Sequence, residues 1–75
     1  MKFSTATHYS NGIIEFMTFR ASNNELALQK LIKSLEARWG AKFFWNPEKP
    51  DNREGRLVNY GGVLYDLTID CWQVR

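Results

Sequence analysis

Seventy-five residues, 44% of them hydrophobic and 24% charged, describe one globular domain and exclude a disordered chain. A net charge of +2 is too mild to demand a polyanionic partner. Cys71 is the only cysteine and His8 the only histidine, which excludes an intrachain disulfide and a four-ligand Cys/His metal site within one chain.

A domain of this size has a small core. Lost conformational entropy of roughly 1.5 kcal/mol per ordered residue leaves burial near break-even. Stability must come from dense packing or from a partner. Three Trp, three Tyr and five Phe supply large buried areas for the first. The opening MKFSTATHYS holds no apolar run long enough for a signal peptide or a membrane span. One unpaired thiol suits a reducing cytoplasm, so a cytoplasmic protein with no membrane partner is expected.

Residues 2–9 and 13–20 are rich in Thr, Ile, Phe, Tyr and Met and flank Ser10-Asn11-Gly12. Asn-Gly between such runs predicts a β-hairpin. Two registers are open. A two-residue turn faces Tyr9 with Ile14 and Thr7 with Phe16. A three-residue loop with Gly12 left-handed faces Tyr9 with Ile13 and Phe3 with Phe19. Ser22-Asn23-Asn24-Glu25 reads as a capping box, with the Ser22 hydroxyl accepting from the Glu25 amide. In the helix that follows, Leu28, Leu31, Ile32, Leu35 and Trp39 form one apolar stripe. Gln29, Lys30, Lys33, Glu36 and Ala37 lie opposite, and Gly40 stands where a left-handed cap is wanted. Leu26 falls off the stripe.

Ala41 to Asn46 is short and aromatic, which suits a strand with Phe43 and Trp45 in the core and Phe44 outward. Pro47, Pro50, Asp51-Asn52 and Gly55 then break regular structure, giving a long loop over 47–56 with the mixed charges of an interface rim. Leu57 to Tyr60 is a short strand, Gly61-Gly62 a turn, and Val63 to Val74 a long alternating strand. Val63, Tyr65, Leu67, Ile69 and Cys71 share one side; Leu64, Asp66, Thr68, Asp70 and Trp72 share the other. The order is ββαβββ over a single domain, residues 1–75. The expected class is α+β: a small antiparallel sheet with one helix packed on one face.

Nothing in the chain points to catalysis or a cofactor. Cys71 falls on an apolar side and reads as a small buried hydrophobe. His8 reads as a surface or edge residue beside a turn. Asp66 and Asp70 share a strand face about 13 Å apart, too far to hold one metal ion without further ligands. No phosphate loop, serine elbow or zinc signature is present. A non-enzymatic protein without cofactor or metal is expected.

Two binding chemistries remain. Lys42, Phe44 and Trp45, with Arg53, resemble a stacking platform with cations beside it, as single-stranded nucleic acid requires. The basic residues of this stretch are interleaved with Glu48, Asp51 and Glu54, whereas a phosphate-binding face is usually single-signed. The stronger expectation is a protein partner. Ile14 and Phe16 alternate with Ile13, Met17 and Phe19, so both faces of the hairpin carry large apolar groups. One helix covers one face of a small sheet. A rolled sheet or a satellite cluster could bury the remainder, and a homodimer would serve as well. The contacts expected at a larger partner protein are Phe44, Trp72, Met17, Arg53 and Arg56. In scale and element order the chain resembles the small inhibitors that bacteriophages and mobile elements encode, compact domains that bind one host or defence protein and block it. The resemblance is one of architecture and carries over no residues.

Overall fold

A computed structural model describes residues 1–48 and 53–75. Among them are β1 (Lys2–Tyr9), β2 (Ile14–Arg20), α1 (Asn24–Trp39), β3 (Lys42–Trp45), β4 (Glu54–Asn59) and β5 (Gly62–Val74). The strands form one antiparallel sheet in the order β2-β1-β5-β4-β3, and α1 packs on one face of it. The fold is α+β, with the expected element order.

The hairpin takes the three-residue loop. Phe3 faces Phe19 and Thr5 faces Met17. The Tyr9 amide donates to the Ile13 carbonyl and the Gly12 amide to the Tyr9 carbonyl, both at 2.9 Å. Gly12 has φ 91°, where a side chain would be strained. A two-residue turn of the primed kind would need positive φ at Asn11 as well. Arg53 is the one non-glycine residue with positive φ among those described, so Asn11 escapes that cost. Its side-chain oxygen instead accepts from the Ile13 amide at 3.0 Å.

The helix begins one residue later than the capping box predicts. Asn23 is the N-cap, and its side-chain oxygen accepts from the Leu26 amide at 2.9 Å. Asn is at least as good a cap as Ser, and with Leu26 at the third position no reciprocal Glu is available. Gly40 closes the helix in the left-handed conformation, its amide donating to the Glu36 carbonyl. Glu36 is half-buried and not on the solvent side: its carboxylate accepts from the Phe43 amide at 3.0 Å, tying the helix end to β3.

Leu28, Leu31 and Leu35 of α1 meet Tyr9, Leu57, Leu67 and Ile69 in the core, with Met17, Phe19, Trp39, Phe43, Tyr65 and Cys71 packed around them. β4 starts at Glu54, three residues before the expected Leu57, so the loop after β3 is shorter than predicted. The residues 49–52 of that loop lie outside the described residues. Gly55 is buried and faces Trp45 on β3 and Leu67 on β5. The Phe43 ring covers it: a Cβ at residue 55 would stand 2.3 Å from Phe43 Cζ. In the last hairpin the register shifts between Leu57 and Val58, leaving Leu64 without a facing residue.

Candidate partner-binding face

β1 carries Phe3, Thr5, Thr7 and Tyr9 toward the helix and Ser4, Ala6 and His8 away from it. The register extends this division across the sheet. Phe16, Ala6 and Asp70 form one row on the open face. Ile14, His8, Thr68 and Glu54 form the next. Toward the opposite end come Thr18, Ser4 and Trp72, then Arg20, Lys2 and Val74. Beyond Thr68 come Asp66, Arg56 and Phe44, and past the register shift Val63, Val58 and Lys42, so the shift moves Val63 off the core side expected for it.

Large apolar groups stand out of this face. Phe16 is 72% exposed, Phe44 56%, Ile14 48% and Trp72 44%. Ala6, between Phe16 and Asp70, is buried although no helix among the described residues covers it. Two polar pairs sit among the apolar groups. His8 Nε2 lies 3.1 Å from Asp70 Oδ2, and Arg56 Nε lies 3.3 Å from Asp66 Oδ1. Both aspartates thus have a basic neighbour across the strand, and His8 stands on an interior strand, not at an edge. Among the described residues no three His, Cys, Asp or Glu side chains gather to hold a metal ion. Between Phe44, Arg56, Asp66, Thr68 and His8 the face is indented by a groove of about 780 Å³.

Polar chemistry on the helix side knits the fold. The Tyr9, Trp39 and Tyr65 rings meet edge to face, with centroids 5.1 to 6.1 Å apart. Trp39 Nε1 donates to the Tyr9 hydroxyl at 3.3 Å, the hydroxyl donates to Glu15, and Arg38 donates to the other Glu15 oxygen. Burial first, and then the bond to Glu15, push the Tyr9 phenol above its ordinary range. Burial likewise pushes the Cys71 thiol up, against the smaller pull of Arg53.

The sequence-based site residues divide between the faces. Phe44, Trp72 and Arg56 lie on the open one. Phe44 and Trp72 stand at opposite ends, since Trp72 is roughly 20 Å along β5 from Asp66 in Phe44's row. Met17 does not join them: it is half-buried against the core beneath the helix. The register is the cause, because odd residues of β2 face the odd, core-facing residues of β1. Arg53, with φ 49°, precedes β4 and lies toward Cys71 on the helix side. Trp45, expected in the core, is 42% exposed: its ring stands edge-on to Phe43, 4.8 Å between centroids, at the outer strand. The set Lys42, Phe44, Trp45 and Arg53 is therefore split, with Lys42 and Phe44 on one face and the other two on the opposite face. Phe16 and Ile14, the exposed apolar pair on β2, were not among the residues singled out from the sequence; their alternation with Met17 and Phe19 was the available signal. No helix among the described residues is long and apolar enough to cross a membrane. No family model, curated protein or solved structure matches the chain.

Proposed function

We propose that the chain is a non-enzymatic binding protein that acts by docking the open face of its sheet onto a larger protein. One observation carries the reading: Phe16, Ile14, Trp72 and Phe44 stand exposed on the face that the helix leaves bare. Large exposed aromatic and aliphatic groups with charged neighbours are what protein interfaces draw on. Lys2, Arg20, Arg56, Asp66 and Asp70 supply charged groups on the same face. Occupying a surface of a host or defence protein in the cytoplasm, as small inhibitors of bacteriophages and mobile elements do, asks for no cofactor and no catalytic group. The single-stranded nucleic-acid reading draws less support, because its aromatic and basic residues point to both faces.

Affinity capture on the immobilised chain tests the proposal. The expected result is one protein retained in stoichiometric amount, insensitive to nuclease and to moderate salt, and lost with Phe44→Ala or Trp72→Ala. Retention of a nucleic acid that moderate salt releases would overturn it, since phosphate contacts weaken steeply with salt.

A further inference from the structure

The two free edges of the sheet are built differently. β3 is four residues long, carries Lys42, runs into Pro47, and has its Phe43 amide taken by Glu36. A short strand with Lys and Pro is how a sheet protects an edge from pairing. β2 is seven residues long, without Lys, Pro or a register shift.

The register decides which backbone groups of β2 point outward. Tyr9 bonds to Ile13 at one end of the hairpin, and the Ala21 amide donates to the Met1 carbonyl at the other. Bonded and non-bonded pairs alternate along an antiparallel ladder. Glu15, Met17 and Phe19 therefore bond to β1, while Ile14, Phe16, Thr18 and Arg20 turn their N–H and C=O groups away. The Arg20 carbonyl accepts from Lys30. Among the described residues no partner meets the backbone groups of Ile14, Phe16 and Thr18. The side chain of Phe16, in the middle of this stretch, is the most exposed ring on the open face.

We infer that β2 pairs antiparallel with β2 of a second copy of the chain, about a two-fold axis at Phe16, joining two sheets into one. Phe16 faces Phe16 of the second copy and Ile14 faces its Thr18, so each residue with free backbone groups finds both partners in an isologous contact. Charge permits this arrangement. Glu15 faces Met17 of the second copy and Arg20 lies beyond the paired stretch, so no like charges meet across the axis. A seven-residue strand is about 24 Å long, and with the Phe16 rings the contact covers roughly 500 Å² per chain, near the lower limit for a specific interface. The dimer forms in the micromolar range or above. It leaves Trp72 and Phe44 uncovered, and so does not depend on the partner-binding proposal.

Sedimentation of the full chain from micromolar to millimolar concentration tests the inference. The mass should rise from 8.8 kDa toward twice that value. Exchange of the Ile14, Phe16 and Thr18 amides should slow as concentration rises, while that of Glu15 stays constant. Thr18→Pro removes an outward amide that β1 does not use, and should retain native circular dichroism but remain a monomer. Phe16→Glu places two like charges on the axis and should weaken the dimer at least about tenfold; it decides the matter alone if Thr18→Pro loses its fold. A single-chain mass at every concentration, or a dimer that persists in the folded variants, would overturn the inference.

Discussion

Gly55 is the most closely covered glycine of the chain. The Phe43 ring and the Phe44 carbonyl stand where its side chain would be, at 2.3 and 2.8 Å from a built Cβ. The glycine is required by close approach, not by backbone angle. Gly55→Ala should destabilise the domain by about 1–3 kcal/mol, the usual cost of overpacking, and Phe43→Leu should relieve part of that cost in the double variant. Urea unfolding of the three variants measures both effects; additive losses would show that the ring is not the obstacle.

Tyr9 and Cys71 bring a second residue-level consequence. Folding raises both groups above their ordinary values of 10.0 and 9.0. A raised value means that the native state holds the proton more tightly than the unfolded chain. The corresponding stability is whole below the unfolded values and is lost as pH climbs through the folded ones. Stability should thus decline above about pH 9, first through Cys71 and then through Tyr9. Cys71→Ala should flatten the first part of the decline and Tyr9→Phe the second. Urea midpoints that stay level in the wild type across this range would contradict both assignments.

Among the elements, the first hairpin matters most to function. Phe16 and Met17 are neighbours in sequence with opposite surroundings, and the loop length decides which is which. With a two-residue turn, Phe16 would have faced Thr7 and joined the core. With three residues, Met17 faces Thr5 beneath the helix and Phe16 stands in water. Met17→Ser should therefore cost about 1–3 kcal/mol, and Phe16→Ser no more than about 0.5. The reverse ranking in thermal or urea unfolding would mean the other register.

The same contrast explains what could be read from the residues alone. The helix stripe, the Gly40 cap and the alternation of β5 are local patterns with periods of 3.6 and 2, and they are legible directly. Asn11-Gly12 marks a hairpin but is compatible with two loop lengths, so the choice of open face was not legible, and Met17 stood in the place of Phe16. The helix start slipped by one because Ser22 and Asn23 are both good caps. Trp45 is apolar and in phase with Phe43, yet its exposure depends on β3 being an outer strand, which is a matter of topology and not of sequence pattern.

At the scale of the molecule, one dimension governs the rest. Five strands spaced about 4.8 Å apart make a sheet roughly 24 Å wide, whereas a helix is about 10 Å across. Among the described residues a single helix shelters the middle of one face and nothing of the other. Even on its own side Trp45 stays half in water, and on the bare side Phe16, Ile14, Trp72 and Phe44 all stand exposed. A second copy along β2 would widen this surface without covering it, so the two proposals can hold together or fail separately.

The three tryptophans make natural reporters of where a partner lands. Trp72 stands on the open face, Trp45 at the β3 edge, and Trp39 holds its indole N–H against Tyr9 on the helix side. Following the three indole N–H resonances while the captured protein is added to the labelled chain therefore tests the central claim directly. Docking on the open face predicts that the Trp72 signal shifts and the Trp39 signal keeps its position. A shift at Trp39 with Trp72 unmoved would place the partner on the helix side and contradict the account.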